Sequence, residues 1–169
     1  MKIASVFVAA LFLAITFFCG CDSKEIKPQL KGISFLANIT YYNESYKCDT
    51  KIDENGTMHI TVNEPSALKG MKVTFSKNGA YAEYFGLKYE INTQSMPFGN
   101  ITKTVYMLLE DIMKKGAVNV SDGENGIVEG ECHNRKYEFH FSPSGLPLML
   151  KIPDEDFKIE FSNVTTCEN

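Results

Sequence analysis

Along most of the chain, apolar and polar residues alternate with a period of two. Successive side chains of a strand point to opposite faces, so this pattern predicts strands buried on one side. Phe35, Ala37, Ile39 and Tyr41 alternate with Ser34, Leu36, Asn38 and Thr40. Tyr46, Cys48, Thr50 and Ile52 share one side of the next run, with Lys47, Asp49 and Lys51 on the other. Asn55-Gly56 then predicts a hairpin, because both residues tolerate positive φ. Met58, Ile60 and Val62 follow against His59, Thr61 and Asn63. Glu64-Pro65 ends that strand, since proline has no N–H for the ladder. Ser66 to Lys69 reads as a short turn of helix stopped by Gly70. Met71, Val73 and Phe75 resume the alternation, Lys77-Asn78-Gly79 turns the chain, and Ala80 to Phe85 returns it. Gly86 breaks the run, and Leu87 to Ile91 extends the sheet.

The period changes at Pro97. Ile101, Val105, Leu108, Leu109 and Ile112 form the stripe of an amphipathic helix. Asn100 or Thr102 is placed to cap its start, and Lys114-Lys115 before Gly116 suits its end. Strands resume between turn signals at Asp122-Gly123, Asn125-Gly126, His133-Asn134-Arg135 and Ser142-Pro143-Ser144-Gly145. Ile127 to Cys132 pairs with Lys136 to Phe141, where Tyr137, Phe139 and Phe141 share a face. Leu146, Leu148, Leu150 and Ile152 line the next strand, and Phe157, Ile159 and Phe161 the last. Short turns imply antiparallel pairing, since parallel pairs need long crossovers. The fold class is therefore α+β: a curved antiparallel β-sheet with one main helix packed on its concave face. Residues 33–169 form a single domain.

The N-terminus follows another pattern. Lys2 precedes an apolar run from Ile3 to Phe18, the layout of a secretory signal peptide over residues 1–20. The run falls short of the roughly 20 residues of a spanning helix. Phe18-Cys19-Gly20-Cys21 resembles the bacterial lipobox, with Gly20 before the cleavage point and Cys21 as the lipidated residue. Acyl chains there, palmitate among them, would anchor the protein at the outer face of a cell membrane without a spanning helix. Residues 21–32, with the polar stretch Asp22 to Gly32 and its Pro28, read as the lipidated cysteine and a tether.

Charge and cysteines narrow the chemistry. A net charge of −4 argues against nucleic acid as a partner. Cys48, Cys132 and Cys167 are an odd set. They leave open one disulfide with a free thiol, a bridge between molecules, or three free thiols. They show no metal-ligand spacing. Cys132-His133 would need a turn to bring thiol and imidazole together. Asp154-Glu155-Asp156 lacks the oxygen spacing of a calcium loop. Ser142-Pro143-Ser144-Gly145 is not a nucleophile elbow. No catalytic set, metal or cofactor is expected. Six Asn-x-Ser/Thr sequons, at Asn38, Asn43, Asn55, Asn100, Asn119 and Asn163, would matter only in a secreted eukaryotic protein.

Taken in order, the lipobox, tether, Glu64-Pro65, Leu68-Lys69-Gly70, Asn78-Gly79, Tyr84-Phe85-Gly86-Leu87, helix and Gly145-Leu146-Pro147 resemble small lipoproteins of Gram-positive anaerobes. These look like the LolA-like superfamily, and among them the clostridial germination lipoproteins of the GerS type. The resemblance implies a half-barrel of antiparallel strands. It also implies a non-catalytic role, protein binding that regulates an envelope protein such as a peptidoglycan amidase in spore germination. An edge strand offers one way to bind such a partner, or a second copy as a homodimer. The alternative is a carrier holding acyl chains or another apolar lipid ligand. Its cavity would draw on Phe75, Tyr84, Leu108, Ile112, Phe139 and Leu148.

Overall fold

The structure is a computed structural model and describes residues 24–91, 97–120 and 125–167. The signal peptide, Cys21 and the Asp122-Gly123 turn lie outside the described residues. The first half of the chain runs through β1 (Lys24–Ile26), β2 (Ile33–Tyr41), β3 (Glu44–Ile52), β4 (Met58–Glu64), β5 (Lys72–Ser76), β6 (Gly79–Tyr84) and β7 (Leu87–Glu90). Helix α1 (Pro97–Lys115) follows. The second half comprises β8 (Val118–Val120), β9 (Gly126–Cys132), β10 (Arg135–Phe141), β11 (Pro147–Ile152) and β12 (Phe157–Thr166). Single 3₁₀ turns occupy Ser66–Leu68 and Pro153–Glu155.

Ten strands make one antiparallel sheet in the order β7-β6-β5-β4-β3-β2-β12-β11-β10-β9. The chain starts this sheet in its middle. It meanders outward from β2 to β7, leaves through the helix, and meanders back from β9 to β12, which pairs with β2. The sheet is open, with β7 and β9 at its ends.

Alternation decides which side is buried. On β3, Tyr46, Cys48, Thr50 and Ile52 are buried while the residues between them are exposed. The buried faces of β2, β4, β5, β10, β11 and β12 join one core with Ile101, Val105, Leu108, Leu109 and Ile112 of α1. The helix touches both flanks of the sheet. Tyr106 stacks on Phe75 of β5, with ring centroids 5.6 Å apart. On the other flank, Arg135 Nη1 of β10 donates to Thr104 Oγ1 at 2.9 Å. Five strands separate β5 from β10 in the sheet. Laid flat they would stand about 29 Å apart, whereas a helix with its side chains is only about 10–12 Å wide. The sheet must therefore curl around α1, which occupies the concave side. Register shifts at Lys47/Cys48, His140/Phe141 and Ser162/Thr165 supply part of the bend.

Two local expectations change. The helix begins at Pro97, so Asn100 and Thr102 lie inside it and Thr102 is buried. Proline suits a first helical position, where its missing N–H has no intrahelical partner. The supposed polar tether is built into the fold from Lys24 onward. β1 pairs with β8, and Ile26 and Leu30 are buried. Gln29 N donates to Gly145 O at 2.9 Å. A side chain at Gly145, where φ is +84°, would lie 2.3 Å from the Lys27 carbonyl oxygen, so only glycine allows this crossing.

Candidate functional site

Of the six residues expected to line a cavity, four sit in the packed interior and two at its rim. Phe75, Leu108, Ile112 and Phe139 are all buried in the common core, and Ile112 and Phe139 are 0% exposed. At those two side chains no water-sized space is left uncovered. Tyr84 packs against the core from its rim and donates its hydroxyl to Ala67 O at 2.7 Å. Leu148 falls where the β10–β11 register slips, opposite no residue of β10, and is half-buried.

The flank of the helix carries a polar clasp that the sequence pattern did not reveal. Lys115 Nζ donates to the Tyr137 hydroxyl at 2.7 Å, which donates to Asp111 Oδ2 at 3.0 Å. Lys115 and Asp111 also pair directly at 2.9 Å. Burial opposes ionisation of Asp111, but hydrogen bonds from Lys115 and Tyr137 and the lysine charges outweigh it, so its pKa falls below the ordinary value. Burial likewise works against the Lys115 charge, and the same partners reverse that and raise its pKa. Gly130 of β9 makes room, since a Cβ there would sit 2.4 Å from the Tyr137 ring. The spacing of Asp111 and Lys115 as i and i+4 was a readable clue; Gly130 opposite Tyr137 was not. A cleft of about 510 Å³ beside the clasp is lined by Glu129, Gly130, Glu131, Lys136, Tyr137, Glu138, Pro153 and Asp154.

The three described cysteines are free thiols. Cys48 is buried in mid-β3, where burial pushes its thiol up to about 12. Cys132 ends β9, with four strands between it and Cys48. Cys167 follows β12, its N–H bonded to Gly32 O at the other end of the sheet from Cys132. His133 lies in the turn after Cys132, with φ +52°. Glu155, in the acidic turn, pairs with Arg135 at 2.6 Å. Among the described residues, no group of three or more His, Cys, Asp and Glu side chains is placed to hold a metal. Nor is any helix among them long and apolar enough to cross a membrane.

The surface that stands out is the β6–β7 hairpin. Phe85 (φ +50°) and Gly86 (φ +77°) form its two-residue turn. Positive φ at both central residues is the type I′ geometry that matches strand twist. Glycine takes it freely, but Phe85 is held in a region that costs an ordinary residue roughly 1–2 kcal/mol. Its ring is 87% exposed, and Leu87 beside it is 71% exposed. The turn is braced rather than loose. The Tyr84 and Phe85 rings stand 4.2 Å apart, and Lys88 Nζ lies 4.9 Å from the centroid of the Tyr81 ring. Every residue of β7 is exposed. The ladder places this tip at the end of the sheet that carries the Tyr42-Asn43 and Pro153–Asp156 turns. The N-terminal segment comes in at the opposite end, beside Gly145 and Gly32.

Among solved structures the chain is similar to a LolA superfamily protein from Nitrosomonas europaea. The match has a TM-score of 0.37 and 8% sequence identity, and covers 89% of this chain and 88% of that one. No protein-family model matches the chain. No curated protein matches it.

Proposed function

We propose that this chain is a non-catalytic binding protein of the cell envelope, held at a membrane by a lipidated Cys21, which engages another envelope protein. The observation that carries the reading is the exposed, braced Phe85 tip at the end of the sheet away from the N-terminal segment. Aromatic side chains, phenylalanine among them, are enriched in the buried cores of protein–protein interfaces. A rim of Tyr84 and Leu87 gives the ring apolar neighbours. The burial of Phe139 and Ile112, both 0% exposed, supports this reading over an acyl-chain carrier. The resemblance seen in the sequence points to a peptidoglycan-processing amidase as the partner and to germination as the setting.

The test mixes the purified full chain with the cell-wall amidases of its own host. Binding or a changed amidase rate is expected, and a Phe85→Ser protein should lose most of it while unfolding like the parent. If every amidase stays unbound and unchanged in rate, the amidase reading fails. If lipid co-purifies in stoichiometric amount instead, the carrier replaces it.

A further inference from the structure

The other distinctive property of the hairpin is the outer side of β7, which no strand among the described residues pairs with. Ile91 N donates to Ala80 O at 2.9 Å, which sets the phase of the β6–β7 ladder. In an antiparallel pair the bonded residues alternate. Leu87, Tyr89 and Ile91 therefore point their N–H and C=O groups toward β6. Lys88 and Glu90 point theirs outward, where the sheet ends. Side chains divide the other way. Tyr89 lies opposite buried Ala82, so Leu87, Tyr89 and Ile91 project on the concave side, and Lys88 and Glu90 on the convex side.

We infer that β7 pairs antiparallel with β7 of a second copy of this chain, in the register that sets Tyr89 against Tyr89 and Lys88 against Glu90. Ladder geometry and charge select that register together. Only Lys88 and Glu90 offer outward bonding groups, so each must face one of the two on the other strand. Facing like with like would set lysine against lysine or glutamate against glutamate, which destabilises a strand pair. Facing Lys88 with Glu90 makes two symmetry-related ion pairs and two rings of main-chain hydrogen bonds. Leu87 then falls opposite Ile91, and the two Tyr89 rings meet at the axis. A short segment, Leu87-Lys88-Tyr89-Glu90-Ile91, is thus complementary to itself. The contact is isologous and closes as a dimer rather than growing into a fibre. It continues both sheets and extends their concave apolar surface with Leu87 and Tyr89, which a single copy leaves exposed. This inference goes beyond the partner reading and does not depend on it.

The test is the mass of the full chain in detergent by sedimentation equilibrium, for the parent and for charge variants. The parent should sediment as a dimer. Lys88→Glu and Glu90→Lys should each weaken association by about tenfold or more, since each sets like charges opposite at two places. The double reversal should restore it. Mild oxidation should join copies of a Tyr89→Cys chain well above the parent's background, and leave Lys88→Cys chains at that background. A parent that stays monomeric overturns the inference. So does a dimer that ignores both single reversals, or one that Tyr89→Cys cannot cross-link. None of these results touches amidase binding, which is read separately.

Discussion

The two edges of the sheet are built on different principles. At β9, Glu129 and Glu131 stand exposed on one face while Val128 and Gly130 turn inward, with Gly130 lying against Tyr137 and Lys115. Both α1 and β8 lie beside this strand. Antiparallel self-pairing centred on residue 129 or 130 would set glutamate against glutamate. Charge and cover are how natural sheets blunt their edges. At β7, no described strand pairs on the outer side, all four residues are exposed, and the charges alternate in sign. The comparison teaches that openness alone is not the signal. An edge is guarded when its charges repel a copy of itself, and inviting when they fit one.

The largest expected effect contrasts the covered core with the open edge. Phe139→Ala should cost about 3–5 kcal/mol in urea unfolding, because a fully buried ring leaves a cavity. Tyr89→Ala, measured in dilute solution where the chain is monomeric, should stay within about 0.5 kcal/mol of the parent. If the two costs were alike, β7 would be part of the packed fold and the contrast would collapse.

The next effect concerns the guarded edge alone. Gly130→Ala should destabilise by about 1–3 kcal/mol, since its methyl would collide with the Tyr137 ring and open the clasp. A neutral result would mean that β9 is not held against the helix flank.

A smaller effect is visible in pH. The folded pKa of Asp111 lies below its unfolded value, so the unfolded chain binds the proton more readily. Its contribution is complete above the ordinary carboxylate pKa of about 3.9 and is lost as pH falls through the lower folded value. Asp53, lowered through His59 and Lys51 despite the opposing effect of burial, acts in the same sense at the β3–β4 turn. Asp111→Asn should therefore flatten the acid limb of stability below about pH 4. An unchanged limb would remove the clasp's charge from the account of β9.

The smallest effect is local. In dilute solution the amides of Lys88 and Glu90 should exchange with solvent faster than those of Leu87 and Tyr89, which bond to β6. Raising the concentration should slow the first pair selectively if copies join there. Uniform exchange along β7 would show that the hairpin frays instead of offering an ordered edge.

Most of the strands could be read from the chain because a sheet buried on one face writes a period of two into its sequence. The stripe from Ile101 to Ile112 likewise showed the helix and which side of it is buried. What escaped depended on contacts between distant segments. Lys24–Ile26 is polar enough to read as tether, and only its pairing with Val118–Val120 makes it a strand. Asp111 lies off the apolar stripe of the helix, and Tyr137 comes within its reach only once the sheet has curled. For the candidate site, only the break at Gly86 was visible; Phe85 read as the end of a strand, and nothing local told that its ring would stand uncovered in the turn. The proposed cavity residues were good core candidates. Whether a core is filled or hollow depends on how closely the helix settles onto the sheet, which no period records.

The place where the N-terminal segment joins the sheet has a consequence for posture. Lys24 is only three residues from Cys21, a reach of at most about 10 Å. A chain acylated at Cys21 would ride close to the bilayer on a short leash attached at one end of its strands. The antiparallel pairing inferred for β7 relates the two copies by a half-turn, so their leashes leave from opposite ends of the joined sheet. A doubly tethered pair could not stand upright. It would lie like a raft, strands running along the membrane surface, with one mooring at each end.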